Sequence, residues 1–414
     1  MRKILTAALL LLLPFKAAAQ EFSTASMRTI TLGEAYALAL MKSEQLARQV
    51  EGVKQLEAAE QLINAAFRPS FELNASQSKQ QNAASSTKGY LSGNYSIFSG
   101  MRDYISRKAA AATTGAANFD LTRARQQLYL GAAEAYLDLQ NAQRQVFIRR
   151  EQLEVTKKRI AELEARVDIG RSRKSEVVAA KTQLAQDKAG YLDAVGAERL
   201  GQLALQFLTG LETDLVPDQL PLQRVAPLEA YLKSALQRPD LAARSKELEV
   251  SGYLLDIQDR NLWPTVTVSA DYYVVRRPMP APASRWDGML AVKIPLYNGG
   301  AAPAQRQAAY SARRAAELAL QLARRQALTE VRSAYALFSS SVLQAASLEE
   351  ALALASDNAR YQAEDYKLGL VTNLDALSAL NTVQQTRLAL SQAKVRERLS
   401  LLKLETAAGL EAAR

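Results

Sequence analysis

The chain has 414 residues, 48% of them hydrophobic and 23% charged, with 52 Lys and Arg against 42 Asp and Glu for a formal charge of +10. That balance is too polar for a bundle of membrane-spanning helices and too apolar for disorder, and the length suits two or three domains. His and Cys are both absent, which excludes disulfides, thiolate nucleophiles and iron–sulfur clusters and removes the usual general base near neutral pH; a carboxylate-only or Lys-based enzyme stays open on composition, though neither an enzyme nor a cofactor or metal is expected.

In chain order, Arg2 and Lys3 precede a short apolar run, Ile4 to Leu13, and the small residues Ala17, Ala18 and Ala19. This is the pattern of an export signal over residues 1–19, and the run is too short to span a bilayer as a helix. Removing it takes away three cations and leaves a charge of +7. No Cys follows to carry a lipid, and no later stretch is apolar for ~18 residues. The excess of cations does not point to nucleic acid: basic and acidic residues alternate, as in Arg149-Arg150-Glu151 and Arg396-Glu397-Arg398, with no aromatic-interleaved basic stripe.

The remainder is written twice. Glu34-Ala35-Tyr36 returns as Glu229-Ala230-Tyr231, and Phe67-Arg68-Pro69-Ser70 as Leu262-Trp263-Pro264-Thr265, both at an offset of 195. Phe98-Ser99-Gly100 then matches Tyr297-Asn298-Gly299, Ala135-Tyr136 matches Ala334-Tyr335, Ile169-Gly170 matches Leu368-Gly369, and Gly210-Leu211 matches Gly409-Leu410, at an offset of 199. Two repeats are expected, 20–210 and 229–414, joined by a Pro-containing linker over 211–228. The four extra residues belong in a loop between Pro264 and Tyr297.

Each repeat reads as helix, two strands, long helix, helix. Opening helices are expected near Thr31–Phe67 and Leu228–Leu262. Strands are expected at Ser70–Lys79 with Gly89–Phe98 and at Thr265–Val275 with Trp286–Leu296, joined by the loops Asn82–Lys88 and the Pro278, Pro280 and Pro282 segment. Each strand has about ten residues, the length that crosses a bilayer at a tilt, and Trp263, Tyr272, Tyr273, Trp286, Tyr95, Phe98 and Tyr297 are candidate interfacial aromatics. Ordinary surface hairpins remain the alternative.

None of the twelve prolines falls between Pro69 and Pro217 or after Pro303. A Pro inside a helix costs about 3 kcal/mol, so these gaps leave room for helices such as one from Gly100 to Ile169, on the order of 100 Å long. Leu328, Val331, Tyr335, Phe338, Val342 and Ala345 follow a heptad seam. Gly170 and Gly369 suit the left-handed positions that end the long helices. Shorter helices follow, Ser172–Thr209 and Thr372–Ala408, closed by Gly210 and Gly409. Two short helices placed end to end then match one long one. Four strands cannot close a barrel, which takes about eight, so the sheet must be completed by other copies of the chain; two copies or three would suffice.

At this point the sequence resembles the TolC family of outer-membrane efflux channels. The resemblance covers essentially the whole mature chain. It rests on the export signal, on Arg68-Pro69 and Trp263-Pro264 at the strand starts, on Ile294-Pro295-Leu296-Tyr297-Asn298-Gly299-Gly300, and on the paired tips Val167–Gly170 and Tyr366–Asp375 in their duplicated order. It implies a mainly α protein with a small β part: long antiparallel α-hairpins forming an α-barrel, and four strands per chain in a shared 12-stranded transmembrane β-barrel. The protein would be a homotrimer in outer-membrane lipid with a periplasmic tunnel. Its partners would be a periplasmic adaptor (membrane fusion) protein, docked near the Gly170 and Gly369 turns, and an inner-membrane transporter. No nucleic-acid partner is expected.

The resemblance places channel-gate residues too. Asp375 matches the first acid of a lumen ring that would attract cations; the second acid of that ring is Ser378 here. Tyr366 and Glu176 match positions that link neighbouring tip helices, and an Arg expected after the second tip glycine is Val371. Asp375 also reads as an ordinary acid at a helix start. The expected function is the exit duct of a tripartite efflux pump; the exit duct of a type I protein-secretion system and a periplasmic coiled-coil scaffold are the alternatives.

Overall fold

The computed structural model describes residues 28–218 and 225–410, apart from 80, 82–84, 279 and 281–283. The expected export signal, most of the linker's second half with Pro221, and parts of both hairpin loops, Pro282 among them, lie outside the described residues. The order is β1 (Arg28–Ile30), α1 (Leu32–Lys42), α2 (Glu44–Ala65), β2 (Ser70–Ser78), β3 (Ser86–Phe98), α3 (Arg102–Asp168), α4 (Lys174–Thr209), β4 (Leu215–Pro217), α5 (Leu228–Ala235), α6 (Pro239–Gln258), β5 (Thr265–Arg277), β6 (Trp286–Lys293), α7 (Ala301–Leu368) and α8 (Asn373–Ala407). The chain is mainly helical with a small sheet part, as expected.

The Pro-free stretches are the long helices. α3 has 67 residues and α7 has 68, each on the order of 100 Å at 1.5 Å per residue. Gly170 and Gly369 take φ of 73° and 76°, and the two turns close alike: Arg171 N–H reaches the Arg166 carbonyl and Leu370 N–H the Asp365 carbonyl. α4 and α8 then run back along α3 and α7. The partner short helices abut them end to end. A Cβ on Gly210, at the end of α4, would lie 2.9 Å from Lys42 Cε at the end of α1, and one on Gly409, after α8, 2.7 Å from Arg238 Cγ just before α6.

Each opening helix, expected as one piece, is two. Ser43 ends α1 by donating its N–H to the Ala39 carbonyl and starts α2 by accepting from Leu46 N–H on its hydroxyl. In the second half Pro239 holds Arg238 in an extended conformation and opens α6 as its first residue. Two further departures are local. β6 stops at Lys293, short of Leu296, because Pro295 has no N–H to give the ladder. The linker is not plain coil: its residues Leu215–Pro217 form β4, which pairs in parallel with β1.

Apolar packing runs in clusters along the rods, each a few residues deep. Ile30, Leu32, Tyr136, Leu139, Leu205 and Leu215 gather where β1, β4 and α1 cross the middle of α3. The Tyr136 hydroxyl lies 3.0 Å from the Ile30 carbonyl oxygen and 2.9 Å from that of Asp218, and burial pushes its pKa up to about 12. In the second half the heptad residues Val331 and Phe338 pack with Tyr231, Leu401 and Leu404, with Tyr335 and Val342 at the margin.

The two hairpins merge into one antiparallel sheet of order β2-β3-β5-β6. Irregularities between Gly89 and Tyr90 and between Ser96 and Phe98 interrupt the β3–β5 register, so Val274 and Ile97 are the extra residues. β2 and β6 are the edges, and neither has a further partner among the described residues.

Candidate channel wall and gate

In an antiparallel pair, residues directly opposite share a face. One face of the sheet carries Phe71, Leu73 and Ala75 of β2; Leu91, Gly93 and Tyr95 of β3; Val268, Ala270 and Tyr272 of β5; and Trp286, Gly288, Leu290 and Val292 of β6. The other carries Ser70, Glu72, Asn74, Ser92, Asn94, Thr267, Ser269, Asp271, Tyr273, Asp287 and Lys293, with Met289 and Ala291 as apolar exceptions. The apolar face is uncovered in the single chain: Leu73 is 79% exposed and Phe71 and Trp286 69% each. An apolar surface of this extent calls for a partner. With eight to thirteen residues per strand, an apolar face of this kind suits lipid and the opposite one suits water. Among the described residues no helix is long and apolar enough to cross a membrane.

At the opposite end of the rods, the two α-hairpins meet. Tyr366, 7% exposed, packs with Ile160, Leu163, Ala180 and Ala376, contributed by α3, α4 and α8. The guanidinium carbons of Arg159 and Arg166 lie 4.1 and 4.6 Å from its ring centroid, within cation–π range. Arg159 also donates to Asn373 of α8, which is 3% exposed. Farther from the turns, Asn381 of α8 donates to Gln183 of α4 at 3.2 Å, and Arg387 of α8 pairs with Glu151 of α3 at 2.8 Å. Polar groups of known partner therefore join the two hairpins along one side.

The sequence-expected residues fall as follows. Asp375 sits at the start of α8, where its carboxylate accepts from Thr372 N–H at 2.9 Å and Thr372 O–H at 2.6 Å while the Thr372 hydroxyl accepts from Asp375 N–H. This is a capping box. The Thr372 hydroxyl and backbone donors hold the Asp375 carboxyl below the usual carboxylate range. Ser378 lies three residues on and is exposed. Glu176 accepts from the Ser172 hydroxyl at 2.7 Å across the first turn of α4; no hydrogen bond joins it to Tyr366. Val371, where an Arg was expected, packs on the Tyr366 cluster. Gly170 and Gly369 form the exposed turns, flanked by Ile169, Leu368 and Leu370, each about two-thirds exposed or more.

Arg159, Arg166 and Asn373 were not singled out from sequence. Their local signals are those of solvated helix residues, and only the approach of the hairpins gives them partners. Similarly, the register that sets Asp271 directly opposite Asp287 has no local signature.

Comparison with known proteins gives the same picture. Residues 231–410 match the family described as outer membrane efflux protein. The chain is 24% identical over 314 residues to the outer membrane efflux protein BepC of Brucella suis biovar 1, covering 73% of this chain and 67% of that one. Among solved structures it is similar to CusC, with a TM-score of 0.84, 20% identity and 92% of each chain covered. It is also similar to the outer membrane protein VceC of Vibrio cholerae, with a TM-score of 0.81, 22% identity and coverage of 91% and 96%. The MtrE outer membrane channel of Neisseria gonorrhoeae, solved in an open state, gives a TM-score of 0.78 at 19% identity, over 92% of this chain and 89% of that one. The resemblance to the TolC family read from the sequence is borne out, and the fold is that of channel proteins.

Proposed function

We propose that this chain, with the outer membrane efflux signature in its second half and the fold of outer-membrane channels, is one protomer of a homotrimeric channel-tunnel. It passes small molecules across the periplasm and the outer membrane as the exit duct of a tripartite efflux pump. One observation carries the reading: a four-stranded sheet with one apolar face, one polar face and two unpaired edges stands at the end of helices on the order of 100 Å long. Unpaired strand edges in lipid leave N–H and C=O groups unsatisfied at several kcal/mol each. Neighbouring copies remove both edges at once, and three supply twelve strands.

The helical rods then form the periplasmic wall, built from two repeats, 20–210 and 229–414, that meet through the 211–228 linker. The turns at Gly170 and Gly369 with their uncovered Ile169, Leu368 and Leu370 are apolar tips suited to a periplasmic adaptor, which connects in turn to an inner-membrane transporter. Asp375 and Ser378 line the narrow entrance in this reading, with Tyr366 and Glu176 bracing the helices that move when it widens.

The test is fractionation and conductance. The expected result is a trimer in the outer-membrane fraction, resistant to detergent, that forms discrete pores in planar bilayers. A monodisperse, water-soluble subunit without affinity for detergent would overturn the proposal and leave the scaffold reading.

A further inference from the structure

On the polar face of the sheet, three successive levels have different chemistry. Asp271 stands directly opposite Asp287. Two like charges directly across a strand pair repel. One level toward the hairpin loops, Tyr90 is opposite Tyr273, with ring centroids 5.3 Å apart. Beyond these, Lys88 is opposite Arg276. Arg276 does not stay on its own level: its guanidinium lies 4.1 Å from the Tyr273 ring centroid and grips Asp287 with both nitrogens, at 3.3 and 3.1 Å. The chain thus seats one of its own cations between an aromatic ring and a carboxylate. No ion pair holds Asp271 among the described residues, and the Tyr90 ring has no cation of its own there.

We propose that this level of the duct is a subsite for organic cations that carry an aromatic body. The Tyr90–Tyr273 pair supplies the ring surface, Asp271 and Asp287 supply the counter-charge, and Arg276 is the resident competitor. The inference rests on the channel reading above, since it needs the polar face to line water. A quaternary ammonium with a benzyl group gains both terms, because a ring face attracts a cation and stacks on another ring. A compact ammonium of equal charge gains only the first. The fixed guanidinium of Arg276 keeps the subsite weak, as an exit requires: cargo must be able to leave.

The experiment is block of single-channel current by benzyltrimethylammonium and by tetramethylammonium, added on the hairpin-loop side of trimers in planar bilayers. Wild type is expected to be blocked more strongly by the benzyl ion. Arg276→Gln should tighten that block about five- to tenfold, the ratio that one cation–π contact supplies. Tyr273→Leu should abolish the preference for the benzyl ion and Tyr273→Phe should keep it, while Asp271→Asn should weaken block by both ions. Equal block by the two ions in wild type, unchanged in Arg276→Gln, would overturn the subsite while leaving the duct intact. A wild-type protein that forms no pores would overturn the duct reading, and the subsite with it.

Discussion

Arg159 sends two nitrogens, Nε and Nη2, to the same Asn373 side-chain oxygen, at 3.0 and 2.9 Å. The bond crosses from α3 to the first residue of α8, so it ties the two hairpins of one chain together beside the Tyr366 ring. Both partners are poorly exposed, and a fork donating twice to one buried acceptor is geometrically specific.

Arg159→Ala should therefore loosen the tip. It leaves the Asn373 oxygen buried without a donor, at a cost of about 1–3 kcal/mol, and removes one of the two cations near Tyr366. The expected outcome is larger single-channel conductance than wild type. Arg159→Lys should not restore it, because an ammonium cannot reproduce the fork. Wild-type conductance in both variants would separate this contact from the gate.

Asp375 caps α8, and the proposed function also makes it a charge at the entrance. Asp375→Asn keeps a side-chain acceptor for Thr372 and removes the charge. If three copies of Asp375 surround the entrance, the reversal potential in a salt gradient should move toward weaker cation selectivity, and Asp375→Ala should move it equally. Unchanged selectivity and conductance in both would leave Asp375 as a cap only. Because its folded-state pKa is lowered, the stability it adds is present above the ordinary carboxylate pKa and is lost as pH falls through the folded value.

Gln143→Pro should prevent stable assembly. Position 143 is inside α3, where Pro removes a helix hydrogen bond and costs about 3 kcal/mol or more; a kink there also misaligns everything on the tip side. Gln143→Ala loses the bond to the Leu215 carbonyl and a side-chain hydrogen bond to Glu198 and is expected to assemble. Detergent-resistant trimers from the Pro variant, seen by gel electrophoresis without heating, would contradict the continuous rod.

Glu405, near the end of α8, has its carboxyl pKa raised by burial. The folded state then holds its proton to higher pH than the unfolded chain does. Stability falls as pH rises from the unfolded pKa through the folded one, and the loss is complete above the latter. Glu405→Gln removes that penalty. Its melting temperature should exceed that of wild type at neutral pH, with the gain shrinking as pH falls into the carboxylate range. A gain independent of pH would assign the effect to packing.

What was legible in the sequence is what short-range physics writes locally. Missing prolines mark helices too long for a globular domain, and turn glycines end them at Gly170 and Gly369. Alternation of Phe71, Leu73 and Ala75 with polar neighbours marks a strand with two different faces, and the duplicated order shows how many strands there are. From four strands, the need for further copies follows from hydrogen bonding alone. The breaks at Ser43 and before Pro239 were also written locally, but they are single residues inside strong helical stretches.

The tertiary structure decided everything that depends on partners distant in sequence. β1 pairs with β4 across more than 180 residues, two three-residue strands that no periodicity can announce. The meeting of Arg159 with Asn373 and the facing of Tyr90 and Tyr273 depend on hairpin approach and on a register shifted by two irregularities. A helix or strand propensity is a property of neighbours along the chain, whereas these contacts come from the relative placement of whole elements, and a shift of one residue would turn each such side chain to the other face.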